Sequence, residues 1–172
     1  MINVLRATAL ALLVLAAHGV LVVHGAGAAE IVRRSESAQS PILQSVTIPP
    51  GSEIVMLSGV TPAPIDPTKK PDSIASYGDT KTQTISAFEK IKSTLQGLGY
   101  SLSDIVRITV YVAGDLKLGG KMDFASMIDV YKTYFGTPSN KNLTARTTVQ
   151  VAALGSPFFL VEFEVTAAKA PK

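Results

Sequence analysis

The stretch ARTTVQVAALGSPFFLVEFEV, residues 145–165, decides how the rest of the chain is read. Its β-branched and aromatic residues make two strands, joined by turn chemistry at Gly155, Ser156 and Pro157. In the second strand, alternation sends Phe159, Val161, Phe163 and Val165 to one face and Leu160, Glu162, Glu164 and Thr166 to the other. That is a strand with one dry and one wet side. A wet side accounts for the two carboxylates on pattern alone. The competing reading is that Glu162, Glu164 and Arg146, which opens the first strand, are buried and need partners, because a charge buried without them costs several kcal/mol.

Outward from this stretch, the preceding segments supply a strand and a helix in alternation. Residues 123–135 place Phe124, Met127, Ile128, Tyr131, Tyr134 and Phe135 on one wide helical stripe that stops at Gly136, and aromatic residues at that spacing belong to a core. Residues 104–112, DIVRITVYV, form a strand with Val106, Ile108, Val110 and Val112 on one side. Before it, a helix beginning between Ser73 and Asp79 puts Ile85, Phe88, Ile91, Leu95 and Leu98 inward and ends at Gly99. Residues 61–71, with Pro62, Pro64, Pro67 and Pro71, form a non-helical loop. Residues 41–59 hold two short apolar segments around Pro49-Pro50-Gly51, which read as a hairpin or as two neighbouring strands.

The amino end has a different character. Arg6 precedes an apolar run over residues 7–23 and the small residues Ala26 and Ala28, the pattern of a signal peptide cleaved near Ala28 or Ala29. An uncleaved membrane anchor is the alternative, and either reading exports the domain, to the periplasm or beyond. Residues 30–40 are polar and aperiodic, which reads as a flexible lead into a domain over 41–168 with a tail at 169–172.

At 172 residues and 47% apolar content, the chain has material for one domain with a real core. A formal charge of +3 is too mild to argue for nucleic acid. Cysteine is absent, and both histidines, His18 and His24, fall in the leader. The remaining chain therefore has no side chains for a Ser-His-Asp triad, a cysteine nucleophile or an ordinary zinc site. Proton transfer falls to carboxylates, lysines, tyrosines or water. The glycine-bearing loop at 114–121 lacks the GxxxxGK[ST] spacing of a phosphate loop.

The order of elements gives an α+β domain, a mixed sheet with two helices packed on one face. Thr109, Tyr111, Thr147, Val149 and Val151 then form a second face too apolar to stand bare, as in a domain that self-associates through its sheets.

Five segments in order carry a resemblance to a known family. They are LSG at 57–59, the helix pattern of Gln83, Lys90, Ile91, Leu95 and Gly99, SDIVRITVYV at 103–112, DFASM and VYKTYFG within 123–136, and ARTTVQVAAL followed by VEFEV within 145–165. Together they resemble the RidA/YjgF family, also labelled L-PSP endoribonucleases. The resemblance implies a chorismate-mutase-like fold, a homotrimer with small-molecule sites in clefts between subunits, and hydrolysis of reactive 2-imino or enamine acids to 2-oxoacids and ammonia. It implies no metal or organic cofactor. It assigns the substrate-carboxylate clamp to Arg146 and the water-handling acid to Glu162, and places Thr148 and Gly59 on the substrate-binding surface. Glu164 becomes a structural or inter-subunit partner.

The chemistry agrees with that assignment. A guanidinium holds a carboxylate through two charge-assisted hydrogen bonds, and a carboxylate orients water and moves a proton to the leaving amine. Departures from the family pattern fall at Ile42 and Ile128, where an aromatic and an asparagine are usual, and at Thr148, a cysteine in some members. The loops at 117–121 and 138–143 are also longer. Ile42 and Ile128 favour an alternative of another class, a non-catalytic trimeric envelope protein that binds small carboxylates or acts as a chaperone. A ribonuclease reading finds little support, with no histidine outside the leader and no aromatic-basic stripe for RNA, so no nucleic-acid partner is expected.

Overall fold

The computed structural model describes residues 29–172. The expected leader lies outside the described residues except for its last position. In chain order, the elements begin with β1 (Val32–Arg34), β2 (Ser45–Thr47) and β3 (Glu53–Val60). They continue with α1 (Thr80–Gly97), β4 (Ile105–Ala113), α2 (Phe124–Tyr134), β5 (Ala145–Val151) and β6 (Val161–Lys169).

The main sheet runs β3-β6-β4-β5. β6 pairs antiparallel with both β3 and β4, whereas β4 and β5 run parallel, joined by a crossover through α2. Both helices lie on one face, and the core sits between them and the sheet. Phe88 of α1 meets Phe163 of β6 with centroids 4.9 Å apart, and Phe88 also stacks on Tyr134 of α2 at 4.7 Å. Ile108, Val110 and Val112, expected inward, are fully buried with Val161 and Phe163. This is the α+β arrangement expected from the order of elements.

Local chemistry explains the helix ends. Asp79 caps α1 by accepting from the Thr82 backbone N–H at 2.9 Å, and Asp123 caps α2 through the Ser126 N–H at 3.0 Å. Gly99 follows α1 at φ +80°, in the left-handed region that a glycine stop requires.

Several expectations are corrected. The segments of residues 41–59 do not pair: β2 joins β1 in a separate two-stranded sheet, and Pro49-Pro50-Gly51 redirects the chain so that β3 joins β6. The stretch 30–40 therefore contains a strand, held because the Arg33 Nη2 donates to the carbonyls of Ser103 at 3.2 Å and Ile105 at 3.3 Å. The inward stripe of α1 is shifted, since Ile85 and Leu98 are exposed and the buried face is Thr80, Gln83, Thr84, Ala87, Phe88, Ile91 and Leu95. Phe124 is likewise exposed at the start of α2. β5 and β6, joined through Gly155-Ser156-Pro157 as expected from the turn residues, lie on either side of β4. Leu160, assigned to the wet face, is buried just ahead of β6, where its N–H donates to Gln83 Oε1 at 2.7 Å.

Candidate functional site

Arg146 is the second residue of β5, the edge strand, in register with Ile108 of β4. Side chains level with one another in a sheet share a face, so Arg146 points toward the helices, as Ile108 does. Its Cζ lies 4.3 Å from the centroid of the Tyr131 ring on α2. Nη1 is buried and has no hydrogen-bond partner among the described residues. Burial lowers the pKa of the guanidinium from its usual value, opposed by its proximity to Tyr131.

Two residues along the same face, Thr148 has a buried Oγ1 that is also unpartnered. Buried polar atoms are nearly always hydrogen-bonded. A cationic donor and a hydroxyl, two residues apart on one face of β5, are thus both buried without an acceptor or donor among the described residues. Leu43 runs beside the start of β5, its N–H donating to the Thr144 carbonyl at 3.0 Å, and Ile42 packs against the core there. Ile128, one turn of α2 before Tyr131, also packs against the core. α2 runs antiparallel to β5: Tyr131 lies over Arg146, and the segment before α2 reaches Gln150, whose Oε1 accepts from the Met122 N–H at 3.0 Å.

Glu162 is placed differently. It stands in β6 between the buried Val161 and Phe163, in register with Tyr111 of β4, and so points to the face without helices. Gly59 of β3 lies against it, where the β3–β6 register shifts between Leu57 and Val60. A Cβ on Gly59 would overlap Glu162 Oε1. Glu164, on the same open face, accepts a 2.9 Å hydrogen bond from the Tyr111 hydroxyl, an intrachain partner. That bond is the first cause of the raised Tyr111 pKa.

The structure therefore brings Arg146 to Thr148 and Glu162 to Gly59, but keeps the two pairs on opposite faces of one sheet. Strands lie about 4.8 Å apart and β4 separates β5 from β6, so one ligand cannot touch both pairs in a single protomer. Among the described residues, no three His, Cys, Asp or Glu side chains converge as metal ligands do. Spacing alone did not single out Tyr131 and Thr144. Tyr131 reads as core, and only the crossover through α2 brings its ring to the arginine.

Residues 44–169 match the family model described as Endoribonuclease L-PSP. The chain belongs to the L-PSP (YjgF/RidA) family. Among its relatives, a RutC family protein of Pyrococcus horikoshii is 41% identical over 106 residues, which is 62% of this chain and 73% of that one. The 2-iminobutanoate/2-iminopropanoate deaminase of Salmonella typhimurium is 32% identical over 118 residues, or 69% of this chain and 80% of the deaminase. Of the solved structures, E. coli TdcF with bound serine aligns at 28% identity and a TM-score of 0.53, covering 81% of this chain and 96% of TdcF. The YjgF fold so shared is the mixed sheet with two helices on one face.

Proposed function

We propose that this YjgF/RidA protein hydrolyses small 2-imino or enamine acids to 2-oxoacids and ammonia, at sites formed between copies of the chain in a homotrimer. The observation that carries the reading is the buried, unpartnered Nη1 of Arg146 beside the unpartnered Thr148 Oγ1. A ligand carboxylate supplies the acceptor these groups lack. The likeness to a Salmonella protein named as such a deaminase supports the chemistry, and the serine bound to TdcF is a small carboxylate-bearing molecule.

In this reading, Glu162 accepts a proton from water as the water oxygen bonds to the imine carbon and the C=N π bond opens, and it passes that proton to the nitrogen. It then takes the hydroxyl proton of the resulting carbinolamine and passes it to the amine as the C–N bond breaks, so that ammonia leaves and the 2-oxoacid carbonyl forms. The imine carbon is already electrophilic, so no side-chain nucleophile is required. Because Arg146 and Glu162 face opposite sides of the sheet, each site takes its arginine from one copy and its acid from the next. We place the activity outside the cytoplasm, on the signal-like pattern of residues 1–29.

Ile42 and Ile128, both packed on the core, support a second reading in which the protein binds small carboxylates without turnover. Two variants separate the readings. Arg146→Ala should weaken pyruvate or 2-oxobutyrate binding about 10- to 100-fold by calorimetry, as expected for a charged bidentate contact. Glu162→Gln should keep that binding and lose the accelerated decay of an imine made by an amino-acid oxidase. Wild-type binding with no acceleration leaves the binding reading standing. Unchanged binding by Arg146→Ala removes the anchor of both.

A further inference from the structure

Arg146 is half-buried, with its Nη1 fully so, and lacks the partner usual for a desolvated cation. Among the described residues no carboxylate pairs with it, the ion pairs there being Asp66 with Lys69, Glu89 with Lys92, and Asp129 with Lys132. What it has is the face of Tyr131 at 4.3 Å. The distinction is functional. A carboxylate would offset the desolvation of the guanidinium by consuming its N–H groups, whereas an aromatic face attracts the cation through the ring quadrupole and leaves every in-plane donor free.

The ring is itself fixed. Tyr131 is fully buried, its hydroxyl lies 3.0 Å from Thr144 Oγ1, and Thr144 is also fully buried. Phe135 stacks on Tyr131 at 4.8 Å and 24°. Thr144 immediately precedes β5, so this hydrogen bond ties the ring to the strand that carries the arginine.

We propose that Tyr131, tethered by Thr144, is a positioning residue for Arg146: it sets the plane of the guanidinium so that Nη1 is presented to a ligand carboxylate. The inference rests on the reading of Arg146 as the carboxylate clamp. It separates Tyr131 from the other aromatic residues of the α2 stripe, none of which has a guanidinium over its ring among the described residues.

The test begins on the unaltered protein. The Arg146 Nε–Hε resonance, assigned by its loss in Arg146→Ala, should show a ring-current shift from Tyr131. A resonance at the position of a free arginine overturns the proposal, whatever the variants do. Tyr131→Phe should retain the shifted resonance, and Tyr131→Leu should lose it. By calorimetry with pyruvate, Tyr131→Leu should weaken binding about 5- to 30-fold, the range of a desolvated cation–π contact, and Tyr131→Phe far less. With imine substrate, Tyr131→Leu should raise KM by the same factor and leave kcat nearly unchanged. In an Arg146→Ala background, Tyr131→Leu should add no further loss of binding, because the platform acts only through the arginine. Equal losses in Tyr131→Phe and Tyr131→Leu, or an undiminished effect of Tyr131→Leu without Arg146, would mean that Tyr131 is only core. Absence of pyruvate binding by the unaltered protein would refute the clamp and leave the resonance to decide the platform.

Discussion

Glu162 owes its place to a side chain that is missing. Gly59 has an ordinary negative φ, so the glycine is not demanded by the backbone, and its hydrogen lies where a methyl would overlap the Glu162 carboxylate. Gly59→Ala should therefore leave the melting temperature nearly unchanged, since a flexible carboxylate can swing aside. It should cost about 100-fold in imine hydrolysis, the penalty typical of a misplaced catalytic group. Retention of full activity would show that Glu162 need not sit there. At this scale the sequence draws the eye where a charge breaks an apolar pattern, as at Arg146 and Glu162. It is silent where a residue fits its pattern: Tyr131 is correctly read as core, and nothing in a 3.6-residue period says that one face of a core ring carries a guanidinium.

Among the elements, the strands and helices that have a strong period were legible, and their neighbours were not. β4 follows from its alternation, and α1 and α2 from their stripes and glycine stops, but pairing depends on where loops travel. The Gly155-Ser156-Pro157 turn invites a hairpin, yet β4 already occupies the place beside β5. The helices are locked to each other by Tyr134, whose hydroxyl donates to Glu89 Oε1 at 2.9 Å. Burial, and then this hydrogen bond, raise the Tyr134 pKa from 10.0 to about 12. The folded protein thus holds that proton more tightly than the unfolded chain. Its contribution to stability is complete below about pH 10 and is lost as the pH rises through about 12. Tyr134→Phe should lower stability at neutral pH and flatten the decline above pH 10 relative to the unaltered protein, as read by urea unfolding across that range. Parallel curves would place the alkaline sensitivity elsewhere.

For the whole molecule, the decisive fact is that the two candidate charges look out of opposite faces of one sheet. If each site combines them from adjacent copies, mixing two inactive proteins should restore activity. Arg146→Ala supplies an intact acid and Glu162→Gln an intact arginine, so co-refolding equal amounts should return about one quarter of the sites in a closed ring. Light scattering on the same sample should give a trimer. A mixture that stays inactive while assembling would show that Arg146 and Glu162 do not combine in one site and would remove the inter-subunit site. The open face bears Met56 at 75% and Val149 at 39% exposure, apolar surface of the kind that a second copy would cover. A different economy governs the amino end. The Arg33 guanidinium reaches the backbone at the entry to β4, at Ser103 and Ile105, and fastens the little β1-β2 ladder to the main body. A boundary drawn at residue 44, where the family match starts, would sever that fastening, strand β2 without its mate and leave two carbonyls beside β4 without their donor. The smallest piece of this chain that keeps its own architecture begins ahead of Val32, upstream of anything that family likeness alone would mark.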